Sequence, residues 1–154
     1  MKLTIPTIQH TGTKFLFQLF GFEQASFIER PDVDNLIYLG HINRNSIEHI
    51  KKLDHPIIVP LRHPSLVVES WRRRHKSICE LRDNFSILVN EIDPLKPLYL
   101  PIDVPDRQTY LDRINSELGL NLVTDWGVVN SQCRTFDIAR KESNIEPDFI
   151  NRFY

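Results

Sequence analysis

Short apolar runs alternate with amphipathic ones along most of the chain. "KLTIPTIQ" (2–9), "NLIYLGHI" (35–42), "HPIIVPLRHP" (55–64) and "PLYLPI" (97–102) are nearly continuous in their hydrophobicity. That is the pattern of strands buried on both faces. Between them, "TGTKFLFQLFGF" (11–22) sets Phe15, Leu16, Leu19 and Phe20 along one stripe and predicts a helix. "SIEHIKKL" (46–53) predicts a short helix with Ser46 as its cap and Ile47, Ile50 and Leu53 on one face. "SLVVESWRRRHKSICEL" (65–81) starts a helix directly after Pro64, a favoured place for proline. A further helix is expected over "DNFSILVNEI" (83–92). "DRQTYLDRINSELGL" (106–120) is the best-marked helix: Asp106 caps it, Tyr110, Leu111, Ile114 and Leu118 face inward, and Gly119 ends it. The tail from Asp125 is less regular, with a short helix expected after Pro147.

Strands alternating with helices predict an α/β fold, a three-layer α/β/α arrangement around a central parallel sheet of about four or five strands. The length of 154 residues fits a single domain over 1–154. Such sheets bind ligands at the carboxyl ends of their strands. Three polar points fall there: the loop from Gln9 to Lys14, His41, and Arg62.

Composition removes several function classes. Net charge is −1, which gives no reason to expect nucleic acid or an anionic membrane as partner. No run approaches the roughly 20 apolar residues that span a bilayer, and the first residues lack the apolar segment of a signal peptide. Cys79 and Cys133 are too few and too far apart for a disulfide framework or a metal knuckle. The six histidines form no HxxxH or HxH pair, so no metal is expected. A reducing, cytoplasmic setting follows as the default expectation.

The loop Gln9-His10-Thr11-Gly12-Thr13-Lys14 joins the first strand to the first helix. Helix N-termini carry orphan N–H groups and a partial positive charge. Gly12 lets the backbone approach an anion closely, Thr11 and Thr13 add hydroxyls, and Lys14 adds a charge. The loop is not a Walker A motif, which needs Gly-x-x-x-x-Gly-Lys-Ser/Thr. Thr7 stands in the first glycine position and Phe15 follows the lysine. A tight turn with a capping threonine is the alternative. The second cluster is Arg62 at a strand end with Ser70 eight residues on, in the following helix. An arginine fork and a short serine donor can converge on one phosphate. A solvated arginine and a surface serine are the plainer reading. The run Arg72-Arg73-Arg74-His75-Lys76 reads as a solvated helix face or as a rim that attracts anions.

Loop and arginine together resemble the sulfotransferase family, whose members bind 3′-phosphoadenosine 5′-phosphosulfate (PAPS). In that family a Lys-Ser-Gly-Thr-Thr-type loop after the first strand holds the 5′-phosphosulfate, and an Arg with a Ser eight residues later holds the 3′-phosphate. Here His10-Thr11-Gly12-Thr13-Lys14 is similar to the loop, and Arg62 with Ser70 to the pair. His41 lies 21 residues before Arg62 at a strand end, as the family's catalytic histidine does. "Glu117-Leu118-Gly119-Leu120" is similar to a late helix ending and "EPDFINRFY" to a closing helix. The resemblance implies a P-loop NTPase-like sulfotransferase fold. It also implies a sulfuryl transfer from PAPS to a hydroxyl or amine of a small-molecule or glycan acceptor, without metal. On it, His41 is the general base, His10 and Lys14 stabilise the transferring group, and Gln9 to Lys14 with Arg62 and Ser70 bind the nucleotide. Two features depart from the family: His10 replaces the loop lysine, and the Arg-Lys-Gly motif near the C-terminus is absent. A small P-loop nucleotide kinase and a non-catalytic 3′-phosphonucleotide-binding protein remain the alternatives.

Overall fold

A computed structural model describes residues 2–11, 15, 16, 19, 37–133 and 144–154. Among the described residues, four short strands form two parallel pairs. β1 (Leu3–Thr7) pairs with β2 (Ile37–His41), Thr7 opposite His41. β3 (Ile58–Leu61) pairs with β4 (Leu98–Pro101), Leu61 opposite Pro101. A single parallel bridge between Thr4 and Ile57 sets β1 beside β3, with Thr4 N donating to Pro56 O at 2.9 Å.

Two prolines explain why that contact stays so short. In a parallel ladder alternate residues turn their N–H groups to one neighbour. Thr4 turns its N–H toward β3, so position 6 does the same, and Pro6 has no N–H. On β3, residues 57 and 61 turn toward β4, where their carbonyls accept from Leu98 N and Ile102 N. Position 60 therefore faces β1, and Pro60 also lacks a donor. The two strands meet at their amino ends and are left without a ladder toward their carboxyl ends. The α/β class expected from the pattern is what the chain adopts, as two bridged pairs of strands.

Helices enclose the strands. α1 (Ile47–Lys52) follows β2; α2 (Pro64–Arg73) and α3 (Ile78–Ile87) follow β3; α4 (Arg107–Leu118) follows β4. α3 runs on through a π turn (Leu88–Ile92) and a 3-10 turn (Asp93–Leu95). α5 (Trp126–Cys133) and α6 (Pro147–Ile150) complete the described elements. Phe15, Leu16 and Leu19 are helical as expected, whereas Phe20 lies outside the described residues.

Two hydrophobic clusters share the strands by alternation. Leu3, Ile5, Ile37, Leu39, Ile58 and Leu100 pack with Phe15, Leu16, Leu111 and Ile114. Val59 and Leu61 pack with Val67, Trp71, Leu81, Phe85, Phe149 and Ile150 in the other. Each strand thus buries both faces, which accounts for its uninterrupted apolar run.

Two local expectations change. The helix expected to start at Ser65 and run on toward Leu81 ends at Arg73, and a new one begins at Ile78. His75 adopts a left-handed φ of 53°, and the Ser77 side chain accepts from Glu80 N at 3.3 Å, capping α3. Ser46 occupies the N-cap position of α1 without capping it. Its hydroxyl donates to His41 O at 2.6 Å and accepts from Asn43 N at 3.1 Å, tying the end of β2 to the turn that follows. Asp106 likewise sits at the N-cap of α4 with no side-chain capping bond, while Gly119 ends α4 with a left-handed φ of 64° as expected.

Candidate functional site

β1 leads to β2 on one side, and the chain then returns to place β3 on β1's other side. That reversal is the kind of crevice where open α/β sheets bind ligands. Of the residues singled out in the sequence, Gln9, His10, Thr11, His41, Arg62 and Ser70 fall among those described. Gly12, Thr13 and Lys14 lie outside the described residues.

The start of the loop is a shaped turn. Thr11 is buried, and both its N–H (3.1 Å) and its hydroxyl (2.5 Å) donate to Ile8 O. Its hydroxyl proton therefore closes the turn in this structure. His10 takes a left-handed φ of 70°, an uncommon conformation for a side-chain-bearing residue. This turn directs the His10 carbonyl to Arg62, whose Nη1 donates to it at 3.3 Å. Arg62 is itself buried at the end of β3. The loop after β1 and the arginine after β3 therefore meet across the gap left by the two prolines.

α2 reaches the same loop from below. The buried Trp71 donates from Nε1 to Gln9 O at 3.1 Å. Lys76 Nζ donates to Gln9 Oε1 and lies 5.3 Å from the Trp71 ring centroid. Ser70 is buried on α2 beside Trp71, and among the described residues no hydrogen bond joins it to Arg62. Neither Arg74 nor Lys76 forms an ion pair among the described residues. The basic run after Trp71 is thus divided: Arg72 and Arg73 are exposed, while Lys76 is half-buried against the loop. Trp71 is not expected in the site from the sequence, and Lys76 only as part of a solvated face or an anion-attracting rim; the i, i+5 spacing across a helix end hides their convergence.

The His10 ring registers the resulting potential. Its pKa is pushed down from 6.5 to about 4 by burial first, and then by Arg74, Lys76, Arg62 and His41. His10 is therefore neutral at pH 7 and adds no positive charge to the loop. The cations around it do.

His41 closes the carboxyl end of β2. Its Nδ1 lies 3.0 Å from Thr7 Oγ1, and Thr7 Oγ1 is 3.4 Å from Gly40 O. On the other side of Arg62, His63 N donates to Oδ2 of the fully buried Asp103 at 2.9 Å, and Tyr154 OH bonds Oδ1. His63 also caps α2, accepting from Ser65 N at 3.2 Å. Asp103 was also missed in the sequence. It stands two residues past β4 in an apolar run, and only the fold shows it supporting the backbone next to Arg62.

Among the described residues no cluster of His, Cys, Asp and Glu could hold a metal ion, and no helix is long and apolar enough to cross a membrane. Comparison with known proteins adds no relative: no family model, curated protein or solved structure matches the chain.

Proposed function

We propose that the chain binds a 3′-phosphorylated adenosine nucleotide in the crevice between β1 and β3 and transfers a sulfuryl group from PAPS to a hydroxyl or amine acceptor. One observation carries this reading: Arg62 bonds the His10 carbonyl while Arg74 and Lys76, with no carboxylate partner among the described residues, raise the potential at the same loop. A dianionic group is the chemistry that such a place accommodates. The finer expectation for the fold, one central sheet of four or five strands in a sulfotransferase-like arrangement, belongs to the same proposal.

In this reading Arg62 and Ser70 hold the 3′-phosphate. Lys76, Lys14 and the loop amides hold the phosphosulfate, with neutral His10 contributing hydrogen bonds. Gln9 positions Lys76, through its side-chain oxygen, and Trp71, through its carbonyl. PAPS supplies the sulfuryl group. His41 takes the proton from the acceptor as the acceptor atom bonds to sulfur and the bond from sulfur to the phosphate oxygen breaks, leaving adenosine 3′,5′-bisphosphate. The proton goes to Nε2 when Nδ1–H donates to Thr7 Oγ1 and the Thr7 hydroxyl donates to Gly40 O, a chain the two distances allow. Most of the rate gain comes from positioning and charge, with no step that requires metal.

His41→Ala tests the chemistry. Sulfuryl transfer from PAPS to 4-nitrophenol or to a glucosamine acceptor should fall by about 10²–10⁴-fold, the usual contribution of a general base, while bisphosphate binding is retained. Unchanged transfer would remove His41 as the base. Nucleotide binding with no transfer to any acceptor would favour the non-catalytic binding protein.

A further inference from the structure

A cavity of about 450 Å³ opens at the amino end of β4, at the opposite ends of the strands from the proposed nucleotide crevice. Small-molecule sites usually have volumes of about 300–1,000 Å³. Aromatic rings from three elements line it: Tyr99 on β4, Tyr110 on α4 and Phe153 near the C-terminus. The Tyr99 and Phe153 centroids are 4.9 Å apart at 62°, and Tyr110 is 6.5 Å from Phe153.

This wall is braced. Tyr99 OH donates to Asp93 Oδ1 at 2.6 Å, and Arg152 Nη1 donates to Asp93 Oδ2 at 2.9 Å. Arg152 also lies over Tyr99 and Phe153, at 5.7 and 5.4 Å from their centroids. Asp93 and Arg152 satisfy one another and hold the rings. Two further cations line the cavity with capacity to spare. Lys96, in a left-handed conformation after the 3-10 turn, forms no ion pair among the described residues. Arg113 gives its Nε to Glu117 at 2.6 Å, and its two terminal nitrogens make no further bond among the described residues. Three cations thus stand against two carboxylates around an aromatic floor.

We propose that this cavity binds a small planar aromatic carboxylate. Its ring lies against Tyr110 and Phe153, and its carboxylate meets the Arg113 fork and Lys96. A planar fork recognises a carboxylate in two-point geometry, and aromatic walls favour a flat ring. The inference rests on none of the residues of the nucleotide crevice and stands or falls separately from it.

The test is an amide-resolved NMR titration of the full chain with sodium indole-3-carboxylate, beside the cationic 3-(aminomethyl)indole. Saturable shifts at Lys96, Tyr110, Arg113 and Phe153, with a Kd below about 1 mM, are expected. The amine should bind at least ~10-fold more weakly. The double variant Lys96→Asn and Arg113→Gln should weaken the carboxylate by ~10-fold or more; asparagine suits the left-handed backbone at 96. No saturation by about 10 mM would overturn the proposal. So would equal binding of amine and carboxylate, which needs no variant to be folded, or shifts centred on residues 9–11 and 62–63.

Discussion

The two ends of the strands hold their positive charge in different ways. At the amino end of β4, Arg113 and Arg152 each have a carboxylate partner, Glu117 and Asp93, and Lys96 has none among the described residues. At the carboxyl ends of β1 and β3, Lys76 bonds the Gln9 side-chain amide, Arg62 bonds a main-chain carbonyl, and Arg74 has no carboxylate partner among the described residues. A cation held by neutral oxygens keeps its field. Burial first, and then the same field, hold the His10 ring neutral. The manner of pairing therefore matters: Arg152, matched by Asp93, braces an aromatic wall, whereas Arg62 bonds a main-chain carbonyl, which carries no charge to cancel its own.

The sharpest contrast is in stability. Trp71 links the core to the loop through Gln9, so Trp71→Ala should cost about 3–5 kcal/mol in urea unfolding. Trp71→Phe, which removes the bond to Gln9 O and part of the indole's volume while keeping an aromatic ring in the core, should cost less, about 1–2 kcal/mol. A loss of similar size from both would show that the loop tie, not the packing, is the main contribution.

Ligand affinity separates the two ends next. Arg62→Ala should weaken adenosine 3′,5′-bisphosphate by ~10–100-fold, the range of a charge-assisted contact. Lys96→Asn, at the other end, should leave that affinity within about twofold. Equal effects would mean that only net charge matters, and the distinction between the ends would fail.

Pro60→Val examines the gap between β1 and β3. It restores a donor facing β1, so the new amide at position 60 should show hydrogen-exchange protection, and bisphosphate binding should weaken as the strands close. Net stability should change by no more than about 1 kcal/mol, because the new bond is offset by the freer unfolded chain.

A smaller effect concerns pH. The folded chain holds His10 at about 4, below its ordinary 6.5, so the unfolded chain binds more protons between those values. The stability from a neutral His10 is complete above 6.5 and is lost as pH falls toward 4. Since the ring is only half-buried, the loss should be about 1 kcal/mol. His10→Gln should flatten that part of a urea-unfolding series, and a bound bisphosphate should raise the His10 pKa. At the amino end, Glu117→Gln removes an exposed pair and should cost under about 0.5 kcal/mol.

Elements with one dominant cause were legible in the sequence. β1 to β4 follow from their apolar runs, and α4 from its stripe and the left-handed Gly119. The break between α2 and α3 was missed because the basic run 72–76 keeps helical character. Only the turn at His75 and the Ser77 cap show where it stops. Within the candidate site, strand ends marked His41 and Arg62, and the loop marked Gln9, His10 and Thr11. Trp71, Lys76 and Asp103 needed three-dimensional information, since each acts on a segment that is distant in sequence. The prolines at 6 and 60 were visible, yet their shared direction depends on how the strands pair.

Calorimetric titration with adenosine 3′,5′-bisphosphate in EDTA, beside ATP with Mg²⁺, tests the central claim most directly. Saturable metal-free binding of the bisphosphate, lost in Arg62→Ala, is the predicted result. Binding of Mg·ATP alone, or of neither nucleotide, would contradict it.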